Sequence, residues 1–162
     1  MRILGDYTTS VEKSLTEIDK NWRKYEGVII AGSHNPHNTE ELIKEIQKAR
    51  ETGTPFLGIC HGYQLMAIEY ARNVLDIEDA TSEEFQQEGT NIVVKRAEGL
   101  KVGLCTDTGE TYWSNYEVES DIENQIAMEE NIFAVPFHPE YNSSVDKPHP
   151  LLVNFITYAR EH

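Results

Sequence analysis

The segment Pro55–Met66, PFLGICHGYQLM, gives the strongest indication of the fold of this chain. An apolar run ends at Cys60, which lies between Gly58 and Gly62, and an amphipathic run from Gln64 to Asn73 follows. This pattern predicts a buried strand, a sharp turn and a helix. A nucleophile on such a turn lies above the sheet at a helix N-terminus, which favours a thiolate over a thiol. The alternative interpretation is a buried cysteine in a tight strand–helix contact.

A second motif, His138-Pro-Glu140, follows the apolar run Asn131–Phe137. Residues two apart in an extended segment point to the same side, so His138 and Glu140 can both face a nucleophile. The carboxylate would then fix the tautomer of the imidazole. A histidine alone is more typical of a core or surface position, but together with Cys60 these residues indicate a nucleophilic triad.

Both motifs resemble those of the class I, or triad, glutamine amidotransferases. The pattern GIC-x-G-x-Q at 58–64 and the HPE sequence at 138–140 carry the similarity. The stretches Ala71–Phe85 and Phe137–Ser144 resemble the glutaminase domains of CTP synthases in particular. The resemblance extends from about Gly27 to the C-terminus.

Length and composition predict one domain, residues 1–162, with a single core. The net charge of −14 argues against nucleic acid as a partner, and it suits either a basic partner protein or plain solubility. No apolar run is long enough for a bilayer and no signal-peptide core is evident, so we expect a cytoplasmic protein without membrane association. Of the two cysteines, Cys105 is predicted to lie in the core, and no disulfide or zinc spacing occurs.

The order of apolar segments predicts an α/β fold, in which a mostly parallel sheet carries helices on both faces. The predicted strands are Arg2–Leu4, Gly27–Ala31, Phe56–Ile59, Asn91–Lys95, Leu100–Cys105, Tyr116–Glu119 and Ile132–Phe137. The predicted helices run from a cap at Ser10 to Lys24, from a cap at Thr39 to Ala49, from Gln64 to Asn73 and from Leu151 to Arg160.

The resemblance implies that the sheet is flavodoxin-like and that one of its edge strands is missing. Relatives usually have a further strand between the first helix and the strand before the oxyanion loop. In this chain only Tyr25 and Glu26 lie between those two elements. The resemblance also implies an oxyanion hole formed by two backbone N–H groups, one from Ser33 or Gly32 and the other from His61.

The substrate pocket implied by the resemblance is partly altered. Gln64 and Glu84 are retained, and Glu84 would bind the α-ammonium group of the substrate. The family has an arginine for the α-carboxylate, but here Asn115 precedes Tyr116, and we expect these two residues to line the substrate pocket. Asparagine can donate a hydrogen bond but cannot replace a bidentate cation. The glycine-rich oxyanion loop of CTP synthases is also changed, because Ser33 stands where they have glycine.

These residues predict an amidohydrolase that acts on the side-chain amide of glutamine, or of a related γ-glutamyl amide, through a γ-glutamyl thioester. We expect no metal and no organic cofactor. The ammonia could pass to a separate synthetase or acceptor subunit, or the chain could act alone as a γ-glutamyl hydrolase. A non-catalytic or partner-dependent regulatory subunit is the alternative, which the missing arginine favours and the intact triad opposes.

Overall fold

The computed structural model describes residues 1–85 and 91–162, with the backbone alone at Leu100. The strands of these residues, in chain order, are β1 (Arg2–Leu4), β2 (Val28–Ile30), β3 (Phe56–Ile59), β4 (Ala80–Ser82), β5 (Asn91–Leu104), β6 (Thr111–Val118) and β7 (Ile132–Val135). The helices are α1 (Thr8–Ile18), α2 (Thr39–Thr52), α3 (His61–Asn73), α4 (Ser120–Ile126) and α5 (Pro150–Glu161). Within this part of the chain, no helix combines the length and the apolar character needed to span a membrane.

The main sheet has four parallel strands in the order β1-β2-β3-β7. A flavodoxin-like sheet has the order 2-1-3-4-5. Removing its second strand, which is an edge strand, leaves the order found here. Residues 19–27, all of which the structure describes, contain the 3-10 turn Trp22–Lys24 and no strand. The predicted α/β fold is therefore confirmed, and the shortening leaves the central strands β2 and β3 in place.

Helices cover both faces of this sheet because successive strand residues point to opposite sides. Ile29, Leu57 and Ile59 face the first side, where they pack with residues of α1 and α5 such as Leu15 and Phe155. The second side carries the alternate strand residues Val28, Ile30 and Phe56, together with Ile43 and Ile46 of α2 and Leu65 and Ile68 of α3. The prediction of helices on both faces is confirmed.

A second sheet joins β4, β5 and β6, with β5 antiparallel to β6. The two strands predicted at 91–95 and 100–105 are one long strand, β5, whose register with β6 shifts between Arg96 and Lys101. The prediction that Cys105 lies in the core was wrong, because it follows β5 in a partly exposed turn. Its neighbours Val102 and Leu104 are exposed, since this end of the hairpin extends away from the core.

The first helix is shorter than predicted. It begins at Thr8 rather than after a cap at Ser10, and it ends at Ile18. The side chain of Asp19 accepts a hydrogen bond from the Asn21 N–H group at 2.8 Å, which turns the chain out of the helix. Trp22 is nevertheless buried, because the 3-10 turn that follows directs it back into the core.

Gly62 brings α3 into direct contact with β2. A Cβ atom at this position would overlap the carbonyl oxygen of Ile30, which belongs to a central strand. Neither the helix nor the strand can move far without breaking the packing on both faces of the sheet. The first turn of α3 is therefore fixed against the sheet.

We expect Gly62→Ala to destabilise the protein by about 1–3 kcal/mol, the usual cost of overpacking a core. We also expect slower alkylation of Cys60 by iodoacetamide, because the turn before α3 must shift. The control is Gly53→Ala, at a left-handed position with open space around it. This control should lose stability through its backbone conformation alone and keep the alkylation rate of Cys60. Urea unfolding and mass spectrometry measure both effects, and an unchanged Gly62→Ala protein would contradict the close packing inferred for this glycine.

Candidate active site

Cys60 lies on the turn between β3 and α3 with a backbone conformation that is rare for a residue with a side chain. Its φ is 52° and its ψ is −98°. Two hydrogen bonds hold this turn: the Cys60 N–H group donates to the Val135 carbonyl at 2.9 Å, and the Gln64 N–H group donates to the Cys60 carbonyl at 3.1 Å. The thiol is 3.6 Å from the Trp113 carbonyl oxygen, and Cys60 is only 5% exposed. The predicted strand, turn and helix are all present.

His138 and Glu140 form a buried pair next to this turn. His138 Nδ1 lies 2.8 Å from Glu140 Oε1, and both side chains are almost fully buried. An extended segment was predicted here, but β7 ends at Val135 and Glu140 lies in the 3-10 turn Pro139–Asn142. The pair predicted from sequence is therefore present, but a tight turn forms it.

The imidazole of His138 is held from two further sides. The ring of Tyr141 stacks on it with 4.8 Å between the ring centroids. On another side, a Cβ atom at Gly32 would come within 2.8 Å of His138 Cε1, so this position requires glycine. These contacts leave the imidazole little freedom to rotate away from Cys60 and Glu140.

Electrostatic interactions favour the protonated form of His138. Burial alone would lower its pKa, but the nearby Cys60 sulfur together with the hydrogen bond and charge of Glu140 outweigh burial and raise the pKa to about 9. His138 Nε2 has no well-formed hydrogen bond to the groups that the structure describes, since the thiol points toward Trp113. Because catalytic hydrogen bonds are often loose without substrate, this geometry is compatible with proton transfer between Cys60 and His138.

A hydrogen bond fixes the orientation of one peptide group in the loop after β2. The Gly32 carbonyl accepts a hydrogen bond from the Tyr7 N–H group at 3.2 Å. In a planar trans peptide the next N–H group, that of Ser33, points the opposite way. The Ser33 N–H group therefore points away from Tyr7. The His61 N–H group is in the first turn of α3, where backbone N–H groups have no partner within the helix.

A cavity of about 190 Å³ opens at the Cys60 thiol. It is lined by Ser33, His34, Cys60, His61, Gln64, Glu84, Trp113, Ser114, Asn115 and Tyr116. The structure therefore brings together all four predicted pocket residues, the thiol and two of the three predicted oxyanion residues. Gly32, His138 and Glu140 are absent from the cavity lining. Sequence reasoning missed His34, Trp113 and Ser114, although the last two directly precede Asn115 in β6.

The wall formed by β6 carries polar groups. Gln64 Nε2 donates to Ser114 Oγ at 3.2 Å, and the Tyr116 N–H group donates to the same oxygen at 3.1 Å. Burial raises the pKa of Glu84, and the nearby charge of Arg96 opposes this rise. Arg96 Nη2 also donates to the Tyr116 hydroxyl at 3.3 Å. Arg96 was missed because it lies far from the motifs in sequence and reaches the site through β5.

Buried polar atoms without a hydrogen-bond partner concentrate at this site. Among the described side chains they belong to His61, Asn115, His138 and Glu140. Buried polar groups are normally paired, so such a cluster marks groups that serve another purpose than stability. Among the same residues, no group of three or more histidine, cysteine and acidic side chains has a metal-binding arrangement.

A parallel α/β sheet with a cysteine at a strand–helix turn, beside a histidine–carboxylate pair, defines a class of proteins that cleave acyl bonds with a cysteine nucleophile. The family model described as glutamine amidotransferase class-I matches residues 4–158. The chain belongs to this family of enzymes, as its resemblance predicted.

CTP synthases are among the curated relatives. The enzyme of Encephalitozoon cuniculi (strain GB-M1) is 30% identical over 87% of this chain and 35% of the relative. That of Methanoculleus marisnigri is 31% identical over 85% of this chain and 34% of the relative. The chain thus spans about a third of the length of these relatives. The solved structure "Trypanosoma brucei CTPS - glutaminase domain with bound acivicin" has the same fold, with a TM-score of 0.81, 20% identity, and coverage of 98% of this chain and 92% of that chain.

Titration of His138 tests the electrostatics of the site. Its pKa is raised from 6.5 to about 9, so the stabilisation of its protonated form is complete below about pH 6.5 and is lost as the pH rises through about 9. We expect ¹⁵N NMR of labelled histidine to give a lower pKa for His138 in Glu140→Gln, because burial is then opposed by fewer favourable interactions. Glu110→Gln is a matched control, since Glu110 pairs with His149 at 2.9 Å. A His138 titration near pH 6.5 in the unmodified chain would contradict the stabilisation of the imidazolium by Cys60 and Glu140.

Proposed function

We propose that the chain hydrolyses the side-chain amide of glutamine, or of a related γ-glutamyl amide, through a γ-glutamyl thioester on Cys60. The observation that carries this proposal is the position of the Cys60 thiol at the cavity, beside a His138–Glu140 pair 2.8 Å apart. Membership of the glutamine amidotransferase family supports the same reaction.

In the first half-reaction, the Cys60 thiolate attacks the amide carbon and the carbon–nitrogen bond breaks. The N–H groups of Ser33 and His61 stabilise the oxyanion, and such a donor usually contributes about 2.7–4 kcal/mol. His138 donates its proton to the departing nitrogen, which leaves as ammonia or an amine. The raised pKa of His138, about 9, keeps this proton available at neutral pH.

In the second half-reaction, a water molecule attacks the thioester while His138 takes one of its protons. The carbon–sulfur bond breaks, glutamate leaves and the thiolate of Cys60 is restored. Glu140 acts through His138 by holding the Nδ1 proton, so that Nε2 is the atom that exchanges protons. No step requires a metal or an organic cofactor.

The pocket offers fewer groups that can bind the γ-glutamyl part of the substrate than the family resemblance implies. Glu84 binds the α-ammonium group of the substrate, and Gln64 and Tyr116 line the same cavity. Asn115 lines the cavity where an arginine is expected, and its Oδ1 atom is buried without a partner. We therefore propose weak binding of free glutamine, or a substrate whose α-carboxylate is modified. Arg96, which contacts Tyr116, is a candidate substitute for the missing cation.

The partner and the location are also proposals. The CTP synthase relatives are longer than this chain, so the acceptor of the ammonia would be a synthetase domain or a separate subunit. We place the reaction in the cytoplasm, without a nucleic acid or membrane partner. The second candidate function is a non-catalytic or partner-dependent binding subunit, which the substitution by Asn115 favours.

Labelling by a glutamine analogue tests the nucleophile. We expect a diazo-ketone analogue of glutamine to modify Cys60 and to spare Cys105, because the cavity positions the analogue at one thiol only. Iodoacetamide provides the comparison, since hydrogen bonds from Thr108 lower the pKa of the Cys105 thiol and favour its alkylation. Peptide mass spectrometry locates the adduct. The proposal fails if the analogue modifies Cys105 first or modifies neither cysteine.

Restoring the missing cation tests the pocket. We expect Asn115→Arg to lower the KM for glutamine by about ten- to a hundredfold, because hydrogen bonds to charged groups contribute about 1.5–3 kcal/mol. Asn124→Arg is the matched control, because it adds the same charge at an exposed position in α4. Steady-state assays with glutamine measure the change. If the unmodified chain has a low KM for glutamine, and Arg96→Gln raises this KM, the contact to the α-carboxylate of the substrate is instead assigned to Arg96.

A further inference from the structure

The side chain of His61 has no function in the proposed reaction, which uses only the backbone N–H group of this residue. Its side chain is 2% exposed, yet neither ring nitrogen forms a hydrogen bond of good geometry with the described groups, although the Gln64 side chain lies close enough to raise the pKa of the ring. Burial lowers its pKa to about 4, with a partial opposing effect of Gln64, so the ring is neutral at physiological pH. A neutral imidazole offers one donor and one acceptor. Leaving both unused in a buried position is costly unless a ligand pairs with them.

A second cavity of about 200 Å³ adjoins the active-site cavity. Ser33 and His61 line both cavities, so the second one begins directly beside the proposed oxyanion hole. Its remaining lining includes Leu4, Asp6, His37, Asn38 and Leu42. Ammonia is too small to fill this cavity, and it is also too small to form hydrogen bonds with both ring nitrogens of His61.

The lining of the second cavity contains one carboxylate group and two histidines. Asp6 supplies a carboxylate, and no lysine or arginine is among the lining residues. Asp6 accepts a hydrogen bond from Ser33 Oγ, and its other carboxylate oxygen lies 3.8 Å from His37 Nε2. A carboxylate oxygen accepts more than one hydrogen bond, so Asp6 retains capacity for a cation. The net charge of −14 also favours the approach of a cation over that of an anion.

We propose that the second cavity is a binding site for the amine portion of an N-substituted γ-glutamyl amide, with a cationic group at its far end. This inference rests on the proposed function, and it names the substrate class for the same site. The γ-glutamyl part occupies the cavity at Glu84 and Asn115. The substituent on the amide nitrogen passes His61, which forms hydrogen bonds to it, and its terminal ammonium pairs with Asp6.

Such a substrate reacts through the same steps as glutamine. The Cys60 sulfur forms a bond to the amide carbon, and the bond to the substituted nitrogen breaks. His138 gives its proton to this nitrogen, so a primary amine leaves instead of ammonia. Water then hydrolyses the thioester to glutamate, and no oxidant or further reactant is needed.

Three amides that differ at one position provide the test. N5-(4-aminobutyl)glutamine has a cationic end, N5-pentylglutamine is its neutral isostere, and γ-glutamyl-4-aminobutyrate has an anionic end. We expect kcat/KM to be at least about tenfold higher for the cationic amide than for either of the others. All three form the same thioester, so the ratio of their kcat/KM values reports binding and departure of the amine portion, and the binding measurement with Cys60→Ala isolates its recognition.

Substitution of the carboxylate assigns this preference to the cavity. We expect Asp6→Asn to reduce the ratio of cationic to neutral amide by about tenfold or more. Glu41→Gln is the matched control, because it removes one negative charge from an exposed position at the start of α2 and should keep the ratio. A ratio near one in the unmodified chain, a preference for the anionic amide, or an equal effect of the two variants would overturn the inference.

A binding measurement separates this inference from the proposed function. Cys60→Ala cannot form the thioester, so calorimetry with the three amides reports the cavity without turnover. Turnover of glutamine without any preference among the amides would overturn the cationic site and keep the proposed function. Conversely, tighter binding of the cationic amide by Cys60→Ala, lost in Cys60→Ala/Asp6→Asn, would support the site even if the unmodified chain turned over none of them.

Discussion

The geometry of the site depends on one constrained turn, at Cys60. A side chain in the left-handed region is unfavourable, and here it is held by hydrogen bonds from β7 and α3 and by the close contact of Gly62 with Ile30. Strands β2, β3 and β7 and helix α3 all meet at this point. The same contacts place the His61 N–H group, the Ser33 loop and the His138–Glu140 pair around the thiol. The missing edge strand would pair with the free edge of β1, so its loss leaves the groups around the Cys60 thiol in place.

The second sheet makes a different contribution, because it forms one wall of the cavity and carries none of Cys60, His138 and Glu140. Residues 113–116 of β6 cross the thiol and form one wall of the cavity, and β5 brings Arg96 to the same wall. This hairpin is packed less tightly than the main sheet, and its far end is exposed. Substitutions in it can therefore alter the wall of the cavity with little effect on the core. Asn115, at the position where the resemblance implies an arginine, lies in this wall.

The sequence predicted the elements that depend on local patterns. The segment around Cys60 and the His138-Pro-Glu140 motif were found because their apolar runs and turn residues are contiguous. The contact between His138 and Glu140 was predicted for a wrong reason, since a 3-10 turn forms it. The extent of β5 and the position of Cys105 depend on how the hairpin leaves the core, which no local pattern records. The second cavity brings together Asp6, His37 and His61 from three separate segments, so it could be seen only in the folded chain.

The central claim is that a single γ-glutamyl thioester on Cys60 carries the reaction. Partitioning with hydroxylamine tests it most directly, because hydroxylamine and water then compete for one intermediate. We expect glutamine and a neutral γ-glutamyl amide to give the same ratio of γ-glutamyl hydroxamate to glutamate, and Cys60→Ala to give neither product. A ratio that depends on the leaving amine, or hydroxamate formation by Cys60→Ala, would contradict it.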